Sequence, residues 1–393
     1  AEPSHLYRGA QVTLDVVLAN EDVLAAGDYP VNIEVFDSHD ARIASRQTTL
    51  HISTSPEPPL ALPVYRETIA ADWPTGAYRL RASFADSTPA AGRDALFYVT
   101  DAADMPPVPR DVVLWGEDAE LASWLQSKGI SCHAFTGIPQ AEPELILVSR
   151  HPASPGGQAA FDDLMARVEA GSMVLFLSPE VFASGSDPTA YVPLASKGSP
   201  VDPFQTSFVY PKDVWAKTHP IFAGMPSGGL MDYTYYRELF TDRLWQNQDA
   251  PDEAAAGAIA ASFAYYSGLR IGVYNRGKGR FILNYFQVRE NLGTQPAAER
   301  LLRNMLCYLG QNMDVSGDFN GDHHVNLMDF SLLASQWLDD NFYSTPQWHY
   351  DSEFEAGWDS VANPWNVWSC GVYTEGAYSG WTLYNGRHTD DFI

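Results

Sequence analysis

The sequence predicts a multidomain protein in which an antiparallel β-sandwich precedes an α/β domain with a parallel sheet, and two smaller modules follow. Three observations support this prediction. The length of 393 residues suits two or three domains of about 150 residues each. The apolar pattern changes from alternating positions to unbroken runs after the proline-rich segment 105–109. A twelve-residue stretch at 318–329 has the oxygen-bearing side chains of a calcium loop.

The composition excludes several classes of partner. With 45% hydrophobic residues the chain can form buried cores, which argues against general disorder. A net charge of -25 argues against binding to nucleic acid phosphates and to anionic membrane surfaces. The longest apolar run, about 173–177, is far shorter than the roughly 20 residues of a membrane-spanning helix. The chain opens without a signal-peptide pattern or an initiator methionine, which we interpret as a processed or truncated start.

The cysteines do not predict a metal site or a disulfide framework. Cys132, Cys307 and Cys370 are odd in number and far apart, without metal-ligand or CxxC spacing. We expect buried free thiols, and a single bridge is the alternative.

The first predicted domain covers residues 1–105. Segments 11–18, 31–36 and 78–84 alternate in part, and clusters of turn residues separate them. Short alternating strands of this kind are typical of an immunoglobulin-like sandwich. The Cys-Trp-Cys signature of antibody domains is missing, so the prediction concerns the architecture alone.

The second predicted domain covers residues 110–310. Its strands are apolar throughout and alternate with helical spacing, which favours a parallel sheet covered on both faces. Gly277-Lys278-Gly279 lies between two predicted strands, so we expect a hairpin turn rather than a phosphate-binding loop before a helix. The predicted strands and helices are, in order, 111–116, 121–129 (helix), 145–148, 161–168 (helix), 173–177, 269–274, 280–286 and 296–309 (helix).

The third predicted module, 314–338, contains the calcium loop. Oxygen-bearing groups at its positions 1, 3, 5, 7, 9 and 12 suit a hard cation, and an apolar helical face follows. Two departures are His323, where glycine normally makes the turn, and Asp329, which is shorter than the usual glutamate. The alternatives are an ion-free turn before a helix, or nickel or zinc bound by the two adjacent histidines. The predicted Ca²⁺ ligands are Asp318, Asn320, Asp322, His324 through its backbone carbonyl, Asn326 and Asp329.

Residues 317–338 resemble one half of a type I dockerin, an EF-hand-like module of secreted polysaccharide-degrading enzymes. The resemblance implies a calcium-stabilised unit and, by extension, a cohesin-like or cell-surface partner. We find no second loop, and Leu327 and Met328 stand where dockerins often carry polar partner-contacting residues. A structural calcium unit is therefore the favoured interpretation.

The α/β domain resembles the class I glutamine-amidotransferase-like fold, whose active members carry a nucleophilic cysteine on a sharp turn after a strand. The matching turn, 148–152, has no cysteine, so the resemblance implies a domain without that nucleophile. Ser149 lies close to His151 but lacks the Gly-x-Ser-x-Gly elbow of hydrolases. We interpret His219 as structural. Glu238 and Glu290 each follow an arginine, which suits an ion pair as well as a catalytic carboxylate.

The last predicted segment, 345–393, resembles the start of a jelly-roll of the carbohydrate-binding kind. Its candidate sugar-contacting residues are Trp358, Trp365, Trp368 and Trp381, and the alternative is that these rings fill a β-sandwich core.

The module order resembles the C-terminal half of secreted β-galactosidase-like enzymes of glycoside hydrolase family 2, on segments 18–24, 274–280 and 298–304. The family carries its catalytic glutamates in a barrel, for which this chain has no room. The resemblance implies a non-catalytic accessory region of an extracellular or cell-surface glycosidase acting on β-linked sugars, with a polysaccharide or oligosaccharide partner. The alternatives are a stand-alone extracellular carbohydrate-binding or adhesion protein, and an active hydrolase or amidotransferase with an unrecognised site.

Overall fold

The computed structural model describes residues 1–19, 24–54, 61–85, 94–137, 142–149, 156–201, 212–241, 244–261, 265–311 and 331. Its α-helices are α1 (Ala119–Ser127), α2 (Gln158–Ala170), α3 (Tyr233–Tyr236) and α4 (Pro296–Gln311). Its strands are β1 (His5–Tyr7), β2 (Gln11–Ala19), β3 (Gly27–Phe36), β4 (Arg42–Ile52), β5 (Ala61–Ala70), β6 (Gly76–Phe84), β7 (Ala95–Thr100), β8 (Val112–Trp115), β9 (Cys132–Ala134), β10 (Leu145–Val148), β11 (Met173–Phe176), β12 (Lys197–Val201), β13 (Lys212–Ala216), β14 (Gly229–Leu230), β15 (Leu244–Gln248), β16 (Glu253–Ala261), β17 (Tyr265–Arg276) and β18 (Gly279–Asn284). No helix in these ranges is long and apolar enough to span a membrane.

The chain divides into two compact units. Unit 1 comprises the described residues of Ala1–Met105 together with Asp232–Leu239 and Asn291–Arg300. Unit 2 comprises the described residues of Pro106–Met231, Phe240–Glu290 and the chain from Leu301 onward.

Unit 1 is β-rich. One sheet has the strand order β1-β7-β6-β3-β4, with β1 parallel to β7 and the other neighbours antiparallel, and a second sheet pairs β2 with β5. Val31, Ile33 and Val35 of β3 are buried because successive side chains of a strand face opposite sides of the sheet. They share one core with Val12 and Leu14 of β2, so the two sheets bury a common apolar layer.

Unit 2 is built on a mixed sheet. The strands follow the order β14-β13-β16-β17-β18-β11-β10-β8-β9, and β12 and β15 pair off this path. Strands β18, β11, β10, β8 and β9 are parallel, whereas β13, β16, β17 and β18 pair antiparallel. Every residue of β10 and β11 is buried, as expected for parallel strands covered on both faces. On one face, α2 contributes Phe161 and Leu164 to the core.

The predicted hairpin at Gly277-Lys278-Gly279 is confirmed, since β17 and β18 pair antiparallel with Arg276 opposite Gly279. A Cβ atom at Gly279 would lie only 2.2 Å from the backbone oxygen of Ser172. The glycine therefore allows the hairpin to pass close to the turn between α2 and β11.

Candidate functional site

The carboxyl edge of the parallel sheet in unit 2 is where an α/β fold of this kind places its ligand-binding or catalytic site. Strands β8, β10, β11 and β18 run parallel and in register, so their carboxyl ends lie along one edge. The winding reverses at β8, because β9 pairs on one side of it and β10 on the other. Ligands of open α/β sheets bind outside the carboxyl ends of the strands at such a switch point.

Three polar residues meet at this switch point. Asp118 follows β8 and caps α1 by accepting a hydrogen bond from the Leu121 amide at 2.9 Å. Ser149 follows β10 and donates its hydroxyl to the Asp118 carboxylate. Arg289 completes the group with a bidentate pair, Nε to Oδ2 at 2.8 Å and Nη2 to Oδ1 at 2.7 Å. The three side chains that could act as catalytic groups here are therefore joined to one another by hydrogen bonds and an ion pair.

The electrostatics of this network oppose proton transfer. Burial alone would raise the pKa of Asp118, but the hydrogen bonds from Arg289 and Ser149 outweigh it and hold the pKa well below its usual range. The hydrogen bond to Asp118 in turn raises the pKa of Arg289. A carboxylate this acidic is a poor general base at neutral pH, so it does not activate the Ser149 hydroxyl as a nucleophile.

A cavity of about 210 Å³ lies beside the carboxyl ends of β11 and β18. Pro179 and Glu180 line it from the segment after β11, and Tyr285 lines it from the residue after β18. The remaining lining residues are Ala183, Pro188, Pro200, Thr241 and Trp245. The cavity therefore has mostly apolar walls and two polar side chains.

The aromatic wall of the cavity is rigid. The rings of Trp245 and Tyr285 stack with centroids 4.7 Å apart at 18°. Trp245 Nε1 donates to the Lys197 carbonyl at 2.9 Å, and the Tyr285 amide donates to the Arg270 carbonyl at 2.8 Å. The side chains are buried, at 2% and 6% exposure, so little of either ring is open to solvent.

The Tyr285 hydroxyl is buried without a hydrogen-bond partner among the described residues. Burial raises its pKa well above the usual value for tyrosine. An unsatisfied buried hydroxyl costs free energy, so this group does not stabilise the wall.

Asn284, the last residue of β18, positions this wall. Its Nδ2 donates to the carbonyls of Leu177 and Phe286, both at 2.9 Å. Its Oδ1 accepts from the Phe286 amide at 3.2 Å. The Asn284 side chain thus links the end of β18 to the segment after β11. Its two hydrogen bonds to Phe286 fix the backbone around Tyr285, which lies between these two residues.

Glu180 gives the cavity its charge. The residue is exposed and lies in the 3-10 helix Pro179–Phe182. Within the described ranges its carboxylate has no hydrogen bond or ion pair, unlike Asp118. It is therefore available to a ligand.

The contacts of His219 are consistent with its interpretation as structural. Its Nδ1 accepts from the Ile221 amide at 3.2 Å, and its Nε2 donates to Glu253 at 2.9 Å. The Tyr308 hydroxyl donates to the same carboxylate at 2.7 Å. Both ring nitrogens are thus engaged in fixing the local backbone and Glu253.

The two glutamates that follow an arginine differ from each other. Glu238 lies 3.6 Å from Arg237, which fits the ion-pair interpretation. Arg289 instead binds Asp118 and, at 3.2 Å, Glu120 rather than the adjacent Glu290. Glu290, the sequence neighbour of Arg289, is therefore not its ion-pair partner.

Cys132 and Cys307 are free thiols, as expected, but half-buried rather than fully buried. Burial raises the pKa of both, so neither is an activated thiolate. Cys370 lies outside the described residues.

The predicted calcium ligands at 318–329 and the candidate sugar-contacting tryptophans also lie outside the described residues. Among the residues that are described, no group of three or more His, Cys, Asp or Glu side chains could hold a metal ion.

Sequence reasoning did not find Asp118, Trp245 or Tyr285. Asp118 and Tyr285 carried a usable signal, because each follows the end of an apolar strand, where α/β folds place their ligands. Trp245 carried none, since β15 pairs off the main strand path and its place at the cavity depends on the tertiary fold.

No protein-family model matches the chain, and no curated protein matches it. An exo-β-1,4-mannosidase, Op5Man5 from Opitutaceae bacterium strain TAV5, is similar at TM-score 0.30 and 11% identity over 51% of this chain and 35% of that chain. Agd3, a carbohydrate deacetylase, is similar at a TM-score of 0.32 and 11% sequence identity, over 50% of this chain and 32% of that chain. The β-glucuronidase of Bifidobacterium dentium is similar at a TM-score of 0.16 and 12% sequence identity, over 49% of this chain and 41% of that chain.

The aligned part thus covers less than half of each of these three carbohydrate-active proteins. At these TM-scores the likeness is too distant to support a function.

Proposed function

We propose that this chain is a non-catalytic accessory region of a secreted glycoside hydrolase that acts on β-linked sugars. The observation that carries the non-catalytic part is the network at the switch point. Asp118, Ser149 and Arg289 occupy the place where an α/β fold presents catalytic groups, and their bonds to one another leave no activated nucleophile or base there.

The finer fold assignments belong to the same proposal. We infer that unit 1 is an immunoglobulin-like sandwich, which two sheets around one core support. We infer that unit 2 is an amidotransferase-like domain without its catalytic cysteine. In support, Cys132 begins β9 and Cys307 lies in α4, so neither follows the carboxyl end of a parallel strand.

We further propose that residues 314–338 form a dockerin-like Ca²⁺ unit whose primary role is to stabilise the protein, with docking to a cohesin-like or cell-surface partner as the alternative role. The support is the spacing of oxygen-bearing groups from Asp318 to Asp329. Ca²⁺ should raise the melting temperature of the wild-type chain and leave that of Asp318→Ala unchanged. An equal rise in both proteins would refute this site.

Carbohydrate recognition is proposed for the tryptophan-rich segment 345–393, as a β jelly-roll-like segment that acts outside the cell. The support is the density of Trp and Tyr in the segment, since aromatic rings pack against the C–H faces of sugars. Replacement of Trp358, Trp365, Trp368 and Trp381 by alanine should abolish retention on insoluble β-linked polysaccharides. Unchanged retention would favour the alternative in which these rings form a core.

Turnover assays test the non-catalytic role. The purified chain is incubated with aryl β-glycosides and, separately, with glutamine, beside the variants Ser149→Ala and Asp118→Asn. We expect product formation at the buffer rate for all three proteins. Turnover by the wild-type chain that Ser149→Ala abolishes without loss of circular dichroism signal would refute the proposal.

A further inference from the structure

We propose that the cavity lined by Glu180, Thr241, Trp245 and Tyr285 binds a single neutral pyranose ring. This inference rests on the proposed carbohydrate function and adds a second sugar site, in unit 2, to the tryptophan-rich segment.

The cavity is preorganised. Trp245 is fixed by its bond to the Lys197 carbonyl and by its stack on Tyr285, while Asn284 fixes the backbone on both sides of Tyr285. A ligand that enters therefore orders few side chains, and little binding free energy is lost to conformational entropy.

The size of the cavity selects a single ring. Its volume of about 210 Å³ is below the roughly 300–1,000 Å³ of sites for drug-sized ligands. The cavity thus suits a monosaccharide or the end of a glycan.

The lining matches the two kinds of surface that a pyranose carries. Three prolines and two aromatic residues form apolar walls for C–H groups. Thr241 and Glu180 offer a hydroxyl and a carboxylate to ring hydroxyls. A purely apolar ligand would leave the Glu180 carboxylate without a partner, and a fully polar one would gain nothing from the prolines.

The charge selects a neutral sugar. The Glu180 carboxylate has no countercharge within the described ranges, and the chain carries a net charge of -25. A uronate in the cavity would place a second carboxylate close to Glu180. Repulsion between these two carboxylates would weaken the binding of uronates relative to neutral sugars.

Saturation-transfer NMR on the full chain tests the proposal with methyl β-D-glucoside, methyl β-D-galactoside, methyl β-D-mannoside and methyl β-D-glucuronide. Ala183→Trp adds an indole ring to the cavity wall and leaves the other seven lining residues unchanged. Ala223→Trp is the matched control, because both alanines are exposed and directly follow a short 3-10 helix that begins with proline. We expect at least one neutral glycoside to bind the wild type and Ala223→Trp, and to lose at least about tenfold in affinity for Ala183→Trp.

A chain with Trp358, Trp365, Trp368 and Trp381 all replaced by alanine separates this inference from the proposed function. Binding that survives in this variant and is lost in Ala183→Trp supports the cavity. Binding that is lost in this variant and survives in Ala183→Trp refutes the cavity and leaves the carbohydrate function standing. If no glycoside binds the wild-type chain and polysaccharide retention is also absent, both are refuted.

Glu180→Gln tests the charge argument. We expect the ratio of neutral glycoside affinity to glucuronide affinity to fall about fivefold, since two carboxylates about 5 Å apart repel by that order even in water. Equal affinity of the wild-type chain for glucuronide and the neutral glycosides would overturn the selectivity. Tighter binding of phenol than of every glycoside, blocked by Ala183→Trp, would overturn the sugar assignment itself.

Discussion

The ion pair between Arg167 of α2 and Glu144, just before β10, predicts a large loss of stability when one partner is removed. Their side chains are only 6% and 10% exposed, and the N–O distance is 2.6 Å. Arg167 also donates to the Thr136 carbonyl at 2.8 Å and lies 4.1 Å from the centre of the Phe135 ring. A single change at this arginine therefore removes an ion pair, a hydrogen bond and a cation–π contact.

The expected magnitude follows from burial. Arg167→Met leaves the Glu144 carboxylate buried and unpaired, and breaking a buried pair in this way costs about 3–5 kcal/mol. For a unit of this size each kcal/mol lowers the melting temperature by roughly 2–4 °C, so we expect a drop of roughly 6–20 °C. Arg167→Met combined with Glu144→Leu removes both charges and should recover much of the loss.

Differential scanning calorimetry of the full chain measures this effect, with urea unfolding followed by tryptophan fluorescence as a second readout. Arg276→Met is the matched control, because Arg276 pairs with Glu169 at 2.9 Å while the side chains are 39% and 54% exposed. An exposed pair is worth about 0–1 kcal/mol. A loss for Arg167→Met no greater than for Arg276→Met would refute the reasoning, and so would a double variant that loses the sum of its single changes.

Three further predictions concern single groups. Tyr285→Phe should stabilise unit 2 by about 1 kcal/mol in urea unfolding, because it removes a buried hydroxyl that has no hydrogen-bond partner in the described part of the chain, and a loss of stability would contradict this. Gly279→Ala should lower stability by about 3 kcal/mol, since its Cβ would lie 2.2 Å from a backbone oxygen, whereas Gly137→Ala, with no atom within 4 Å of its Cβ, should be neutral. The hydrogen bond from His219 lowers the pKa of Glu253. The ionised Glu253 therefore contributes to folding stability at neutral pH, and this contribution is lost as the pH falls below about 4.5. Melting temperatures of Glu253→Gln should therefore lie below those of the wild type at pH 7, and the gap should narrow as the pH falls from 5 to 3. A constant gap would contradict this.

The sequence predicts the parallel core of unit 2 well because burial on both faces leaves a local pattern. Segments 145–148 and 173–177 are unbroken apolar runs, and the structure makes them β10 and β11. The antiparallel extension leaves no such pattern. Segment 253–261, EAAAGAIAA, has the composition of a good helix former, yet it is β16, paired with β13 and β17.

The reason for this exception is tertiary packing. Small residues are needed in β16 because the Trp215 ring packs against it, and a Cβ at Gly257 would lie 2.3 Å from that ring. A helical propensity of a few tenths of a kcal/mol per residue cannot compete with two strand pairings and this contact.

The candidate site depends even more on contacts between distant residues. Ser149 and Arg289 are visible in the sequence, but their common partner Asp118 is separated from Arg289 by 171 positions. Trp245 and Tyr285 come together only because β15 and β18 both pair with β17. Spacing along the chain therefore identifies the ends of the strands but not which side chains meet there.

The network at the switch point gives a last prediction, which tests whether Arg289 is what keeps Asp118 ionised. Asp118 and Arg289 are 7% and 11% exposed, so Arg289→Met leaves a buried carboxylate whose pKa burial then raises. In the wild type the lowered pKa of Asp118 contributes stability above the unfolded pKa, and this contribution is lost as pH falls through the folded value. Arg289→Met should therefore cost about 3 kcal/mol at pH 7, and less at pH 3, where protonation removes the unpaired charge. Urea unfolding of both proteins across this range measures the difference, and a cost that is the same at both pH values would show that Arg289 acts through packing alone.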